Sequence, residues 1–177
     1  MRFHLGWGES LADAAEAWVT APASAETADL DGVDTGLSRE RYRVAIPARA
    51  HAAARRELLA LRWFPQSLLR AAVADDAVTV LQRVRIGPIS FDAPVRIVEL
   101  YADDDRARIT VVTLTGHPER GVERYELRRE RDGSATLGVD KAWALADPLA
   151  RPGAPFATWF QAHATRRSLR RFRRLRR

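Results

Sequence analysis

The chain has 177 residues, 46% of them hydrophobic and 29% charged, which is typical of a single globular domain with one core. It contains no cysteine, which excludes disulfides, thiolate metal sites and thiol nucleophiles. No apolar run approaches the roughly 20 residues of a membrane span, and the first residues lack the apolar stretch of a secretory signal, so we expect a cytoplasmic protein.

Positive charge is concentrated at one end of the sequence. The formal net charge is +6, yet residues 166–177 contain eight arginines and no acidic residue. The other 165 residues therefore carry a net charge of −2. The basic character belongs to the tail and not to the body, so we do not expect nucleic acid to be the main partner.

Residues 1–38 are predicted to form an N-terminal segment with a short helix and an acidic loop. Ser10 can cap a helix whose apolar face is formed by Leu11, Ala14, Ala15 and Trp18. Residues 6–8, Gly-Trp-Gly, imitate the start of a dinucleotide fingerprint, but Leu11 replaces the third glycine and no parallel βαβ unit follows. Residues 20–38 indicate a surface loop or an ordered excursion, because they are poor in large apolar groups.

Residues 39–165 are predicted to form the folded domain, beginning with a strand and two short helices. Residues 41–46 alternate apolar and charged side chains, which is the period of a β-strand, and Pro47 ends the run. Residues 48–63 are rich in alanine, arginine and leucine at helical spacing. A second short helix is predicted to begin at Pro65, because proline is favoured in a first helical turn.

The period then changes to two over five consecutive runs, at about 78–86, 91–97, 109–113, 122–130 and 135–145. Short turns join them and no crossover helix intervenes, so we predict an antiparallel meander. Pro94 indicates an edge strand or a bulge, because proline cannot donate to a ladder. The last run places Leu137, Val139, Lys141, Trp143 and Leu145 on one side.

The turn between the third and fourth runs, "TLTGHPERGVERY" at 113–125, contains a histidine and a glutamate in a glycine-flanked segment. Residues 117–121 fit a type I turn, with Pro118 at the second position and Gly121 in the left-handed conformation just beyond. Turn geometry then explains the proline and Gly121 but requires neither His117 nor Glu119. The alternative interpretation places both side chains at the rim of a cavity, as a proton shuttle or polar anchor.

The remainder is predicted to be one long helix that covers the sheet. After Pro155, side chains recur every three or four residues at Phe156, Trp159, Ala162, Arg166, Leu169 and Phe172. A meander needs such a cover to bury one face. The predicted fold class is therefore α+β, a curved antiparallel sheet wrapped around a C-terminal helix, and residues 166–177 are the arginine-rich end of that helix. This arrangement resembles the helix-grip fold of START-like and polyketide-cyclase-like proteins.

Three segments carry a more specific resemblance: "RVRIGPISFDAPVRIVEL" at 83–100, "TLTGHPERGVERYEL" at 113–127, and "ATRRSLRRFRRL" near the end. Together they resemble an uncharacterised family of bacterial and plant proteins, uncharacterised protein family 0548, over roughly residues 39–175. That family is grouped with the START-like superfamily, whose members hold apolar molecules between sheet and helix. The resemblance thus implies a small apolar or lipid-like ligand.

Candidate lining residues for such a cavity are mostly aromatic. They are Trp63, Val111, Thr113, Tyr125, Trp143, Trp159 and Phe160, with His117 and Glu119 near the mouth. Ligand pockets are mainly apolar with few polar anchors, which this set allows. We assign no catalytic residue and no cofactor. The four histidines, at 4, 51, 117 and 163, share no ligand spacing, so no metal is predicted either.

Two alternatives stay open. The first is an enzyme of cyclase or hydrolase type, with His117 and Glu119 as acid and base. The second is binding to an anionic surface, a membrane or nucleic acid, through Arg166, Arg167, Arg170, Arg171, Arg173 and Arg174. A solvated helix end would also explain these arginines, because positive charge complements the negative pole of the helix dipole. The sequence does not determine the oligomeric state.

Overall fold

An eight-stranded sheet and three α-helices form the described part of the chain, in a computed structural model that describes residues 2–6, 8, 10–26, 30, 36–63, 67–146 and 154–175. The strands are β1 Phe3–Leu5, β2 Ser38–Ile46, β3 Leu69–Val73, β4 Thr79–Ile86, β5 Ile89–Ala102, β6 Arg106–Thr113, β7 Glu119–Arg129 and β8 Ala135–Leu145. The helices are α1 Leu11–Glu16, α2 His51–Leu59 and α3 Ala154–Arg173, and a 3-10 turn, Ala48–Ala50, precedes α2. None of the described helices is long and apolar enough to cross a membrane.

All strand pairs are antiparallel, and they follow the order β2-β8-β7-β6-β5-β4-β3, with β1 added beside β5. Strands β4 to β8 are the predicted meander, β3 extends it on one side, and β2 closes the other side against β8. Two tight reversals depend on glycine in the left-handed conformation, Gly87 with φ of 61° and Gly133 with φ of 80°. The sheet is therefore continuous from β3 to β2, and α3 covers one of its faces.

The main core lies between that face and the two longer helices. Helix α3 contributes Leu169 and Phe172, and α2 contributes Ala54 and Leu58. They pack against apolar side chains of β4 to β8. Burying a side chain such as that of Leu58 contributes about 1.5 to 3 kcal/mol. The predicted α+β class with a helix-grip arrangement is confirmed.

Residues 2–18 cover part of the opposite face. Helix α1 begins after Ser10 as predicted, although the Ser10 side chain makes no capping hydrogen bond. Its Ala14 and Ala15 are buried in a small cluster with Leu81 of β4. Strand β1, which pairs with β5, was not predicted, because three residues are too few to show a period of two.

The helix predicted to begin at Pro65 is replaced by strand β3 within the described residues. Residues 64–66 lie outside those residues, and Leu69 to Val73 pair with β4. The two short helical elements after β2 are instead the 3-10 turn and α2. Residues 69–73 contain two alanines and little alternation, so only the edge offered by β4 determines that they form a strand.

Pro94 lies in an interior strand and not at an edge or a bulge. On the edge of β5 away from β4, the partner strand changes at Pro94, from β1 at Phe91 to β6 at Val95. The Leu114 N–H donates to the Pro94 carbonyl on the same side. The missing N–H of the proline thus falls between two ladders, where it interrupts neither.

The predicted apolar stripe of α3 is correct at Leu169 and Phe172 and wrong at Trp159 and Arg166. The side chains that face the sheet are Phe160, Ala164, Ser168, Leu169 and Phe172. Trp159 is 59% exposed and Arg166 is exposed as well, while the Phe156 side chain lies outside the described residues. A helix has 3.6 residues per turn, so a row of residues chosen at spacings of three and four gradually rotates around the helix axis. A row that faces the sheet at Phe172 therefore faces away from it at Trp159.

Candidate functional site

A cavity of about 260 Å³ lies between the sheet and the first half of α3. Its apolar wall includes Val84, Ala93, Val95, Val111, Trp143, Phe160 and Ala164. Its polar side chains gather where β7 begins and include Thr113, His117, Glu119, Glu123, Lys141 and Gln161. An apolar cavity with a few convergent polar groups is the usual composition of a small-molecule site.

The turn that delivers His117 and Glu119 to the cavity lies earlier than predicted. The His117 N–H donates to the Leu114 carbonyl, which closes a turn with Gly116 at its third position and a φ of 99°. A Cβ added at Gly116 would lie 2.5 Å from the Trp18 ring, so this glycine also makes room for the indole. His117 is therefore the last residue of the turn, and Glu119 is the first residue of β7.

Gly121 does not take the predicted left-handed conformation. It lies within β7 opposite Trp143 of β8. An added Cβ would be 2.5 Å from the Ala142 carbonyl oxygen and 2.9 Å from the Trp143 Cβ. Thr113 bridges to the same residue, because its Oγ1 accepts the Gly121 N–H at 2.8 Å. Gly121 is thus required for the close approach of β7 and β8 beside the cavity.

A chain of polar contacts crosses from the sheet to α3. Both carboxylate oxygens of Glu119 accept from the Gln161 amide nitrogen, at 2.7 and 2.6 Å. The Lys141 ammonium donates to the Gln161 amide oxygen at 3.3 Å and forms an ion pair with Glu123. The amide nitrogen of Gln161 thus donates to Glu119, and its amide oxygen accepts from Lys141. These contacts connect α3 to β7 and β8 at the wall of the cavity.

Burial raises the pKa of Glu119 to about 7, although the Gln161 amide and the Lys141 charge act in the opposite direction. The nearby carboxylates of Glu123 and Glu40 raise the pKa further. Near neutral pH the Glu119 carboxyl therefore exists in both protonation states. It can donate or accept a proton toward a molecule in the cavity.

His117 is neutral under the same conditions. Burial lowers its pKa to about 4, against a smaller opposing effect of its hydrogen bond with the Glu119 backbone. Its Nδ1 lies 2.9 Å from the Glu119 nitrogen, which is a donor. The imidazole thus contacts the backbone of Glu119 and not its carboxylate, which is held by Gln161.

The structure brings five of the eight predicted ligand-binding residues to the cavity. These are Thr113, His117, Glu119, Trp143 and Phe160, and Val111 also lines it. The Trp143 indole N–H donates to Glu40 at 3.2 Å, and the Thr113 hydroxyl is already bonded to Gly121 and Ser24. The polar atoms of Trp143 and Thr113 are therefore already hydrogen-bonded within the protein, and these side chains mainly determine the shape of the cavity wall.

The other three predicted residues lie elsewhere. Trp63 and Tyr125 stack on each other in the core, with ring centroids 4.4 Å apart, and the Trp63 indole N–H donates to the Leu58 carbonyl. Burial, together with the charge of Glu123, raises the pKa of Tyr125 well above its ordinary value. Trp159 lies on the outer side of α3, where it stacks on His163. These three aromatics were predicted from residue type, which does not distinguish a core from a cavity wall.

The candidate anion-binding arginines lie along the second half of α3 and just beyond it. Arg166, Arg167, Arg170, Arg173 and Arg174 are exposed. Arg171 is different, because it forms an ion pair with Glu57 and donates to the Arg62 carbonyl, which joins α3 to the end of α2. Residues 176 and 177 lie outside the described residues.

Sequence reasoning missed Gln161, Lys141 and Glu123 as cavity residues. Lys141 offered a signal, since it is a lone lysine on an apolar strand face, and such a residue needs a partner. Gln161 offered none. Among the described residues, no group of three or more histidine, cysteine, aspartate or glutamate side chains is arranged to hold a metal ion.

Comparison with known proteins assigns the chain to a family. The family described as "Domain of unknown function (DUF1990)" matches residues 20–171. The chain belongs to the DUF1990 family. The match covers the turn at 113–125 and begins 19 residues before the predicted domain start at residue 39. No curated protein matches this DUF1990 chain significantly in sequence.

Solved structures share the fold of the DUF1990 chain at low sequence identity. A hypothetical protein from Helicobacter pylori has a TM-score of 0.58 and 8% identity, covering 88% of this chain and 99% of its own. An uncharacterised protein from Bacillus thuringiensis has a TM-score of 0.54 and 8% identity, covering 76% of this chain and 98% of its own. A protein from Deinococcus radiodurans has 19% identity and a TM-score of 0.49, with 77% and 95% covered. The first two likenesses establish the fold and nothing further.

Proposed function

We propose that this protein binds a small apolar or lipid-like molecule in the cavity between the sheet and α3. The observation that carries the proposal is the cavity itself, which combines apolar walls with one polar network at the start of β7. Apolar contact would supply most of the affinity, and Glu119 with Gln161 would orient a polar group of the ligand. We also propose that the protein acts in the cytoplasm. We further propose that the DUF1990 family and uncharacterised protein family 0548, which the sequence resembles, are the same family.

A cavity-filling substitution tests this proposal. Ala93 is 3% exposed and lines the cavity, so Ala93→Phe places a ring in the space that a ligand would occupy. The probe is N-phenyl-1-naphthylamine, a neutral apolar fluorophore, and binding is followed by its emission. We expect one molecule bound per chain, with affinity at least about tenfold lower in Ala93→Phe. Mass spectrometry of molecules released from the purified protein should show the same loss.

The matched control is Ala102→Phe, which adds the same ring at the exposed end of β5 and should bind the probe like the wild type. Circular dichroism establishes that both variants fold. Equal binding by wild type and Ala93→Phe, or no binding by the wild type, would overturn the proposal.

Acid-base catalysis in the same cavity is a second candidate function. It is favoured by Glu119, a cavity-lining carboxyl group with a pKa of about 7. Wild type and Glu119→Gln can be incubated with a small-molecule cell extract, and the extract followed by mass spectrometry. A component consumed by the wild type and left unchanged by a folded Glu119→Gln supports catalysis. Identical extracts contradict it without affecting the binding proposal.

A further inference from the structure

The outer side of α3 presents a continuous basic stripe. It is formed by Trp159, His163, Arg166, Arg167, Arg170 and Arg174, which border one shallow groove. Trp159, His163, Arg166, Arg170 and Arg174 recur every three or four residues, so they share one face of a helix with 3.6 residues per turn, and Arg167 lies beside them. This face is opposite the buried side of α3 that holds Ser168 and Phe172. At 1.5 Å per residue, the stripe is about 22 Å long.

The charge of this stripe is not neutralised within the described part of the chain. No ion pair there involves Arg166, Arg167, Arg170 or Arg174, whereas Arg171 pairs with Glu57. The sequence from residue 154 onward contains no acidic residue. The helix dipole favours positive charge only in the last turn of α3, which does not explain Arg166 and Arg167.

We propose that this stripe docks the protein on the anionic surface of a membrane. Its arginines would contact lipid phosphate and carboxylate groups, and Trp159, with its indole 59% exposed, would lie at the boundary between headgroups and acyl chains. The next residues along the same helix, Phe160 and Gln161, line the cavity on the inner side. Docking by the outer side would therefore place the cavity wall close to the lipid. The proposal rests on the outer side of α3 and not on the cavity's being a binding site.

The geometry favours a membrane over nucleic acid. The imidazole of His163 covers one face of the Trp159 indole, with ring centroids 5.3 Å apart and planes 24° apart. Single-stranded nucleic acid is held by several aromatic faces along a basic groove, whereas this stripe carries one tryptophan, and an interfacial tryptophan needs only an exposed edge. Leu175, which follows the last arginine of the stripe, packs against the core, so Trp159 is the exposed apolar group at one end of the charged row. A straight row of arginines with an exposed tryptophan at one end suits a flat anionic surface.

Flotation with phospholipid vesicles tests this proposal. Wild type should bind phosphatidylcholine vesicles that contain about 30% phosphatidylserine and not pure phosphatidylcholine, and about 0.5 M NaCl should release it, since salt screens exposed charges. Arg167→Gln/Arg170→Gln should lower the affinity about 30-fold, roughly fivefold per charge removed. Adding Trp159→Ala to this double variant should lower the affinity by a further few-fold.

The matched control is Arg49→Gln/Arg131→Gln, which removes two exposed arginines outside the stripe. Its net charge equals that of Arg167→Gln/Arg170→Gln. It should float with phosphatidylserine vesicles like the wild type, as should Ala93→Phe, whose cavity is filled. Vesicle binding by Ala93→Phe separates failure of the cavity proposal from failure of this one. The proposal is overturned by absent binding, by equal loss in the two double variants, or by tighter binding to a single-stranded RNA oligonucleotide than to the vesicles at equal salt.

Discussion

Burial of one carboxyl group makes the stability of this protein depend on pH. The pKa of Glu119 rises from 4.5 to about 7, so between these values the folded state binds more protons than the unfolded chain. Stability therefore falls as the pH rises through this window, and the full cost is present above pH 7. His117 acts in the opposite direction, because its pKa falls from 6.5 to about 4 and stability rises with pH between those values.

Replacing Glu119 isolates its contribution. Glu119→Gln keeps an oxygen acceptor for Gln161 and removes the titration. The stability of this variant relative to the wild type should increase from pH 5 to pH 8 by about 1 to 3 kcal/mol, allowing for the side chain's access to cavity water. Urea unfolding at the two pH values measures it, with Glu130→Gln as the control. A relative stability that is flat or decreases with pH would contradict the assignment.

Single residues show what sequence reasoning can recognise at this scale. It identified the segment at 113–125 as a turn that carries His117 and Glu119, and both reach the cavity. It assigned Gly121 the wrong reason, a left-handed conformation, because a glycine needed for close packing and one needed for positive φ look identical in sequence. Gln161 could not have been found, since its partners come from strands that only the fold brings near α3.

Among the elements, β1, β4 and β5 are joined by a buried ionic cluster on the side away from α3. The Arg83 Nε lies 2.7 Å from one Asp92 oxygen, and the His4 Nε2 lies 3.0 Å from the other. The Arg83 and Asp92 side chains are 1% and 0% exposed. His4 connects β1 to the charge pair shared by β4 and β5. A buried pair of this kind stabilises poorly as a whole but is costly to break on one side.

The substitution Asp92→Asn should therefore destabilise the protein by about 3 to 5 kcal/mol, because the buried guanidinium keeps its charge and loses its carboxylate. Urea unfolding measures the loss, and Asp104→Asn in an exposed turn is the control. Amide hydrogen exchange should also accelerate at Gly6, whose N–H donates to the Pro88 carbonyl beside β1. A loss below about 1 kcal/mol would show that the cluster is not structurally important.

The long elements were predicted better than the short ones. The strands from β4 to β8 have clear period-two patterns, so their order and antiparallel pairing were correct. Strands β1 and β3 have too few residues or too many alanines for a pattern, and each exists because a neighbouring strand offers an open edge. For α3, the sequence identified the helix but not its rotation, which placed Trp159 on the wrong side.

At the scale of the whole molecule, α3 separates two regions of different chemistry. Its inner side holds Phe160, Gln161 and Ala164 on the cavity, and its outer side carries the basic stripe. Composition alone showed that the arginines are concentrated at one end, but not that they face away from the sheet. The two proposals can consequently be tested by separate variants of one protein.

The sequence by itself determined the α+β class, the antiparallel meander, the covering helix and the concentration of positive charge. These follow from local period and composition, which act within a few residues. Only the tertiary structure decided which aromatics are core and which line the cavity, that Glu119, Gln161 and Lys141 form one network, and which side of α3 faces water. Such contacts join residues 20 or more positions apart, and burial by distant elements raises the pKa of Glu119, so no local pattern encodes them.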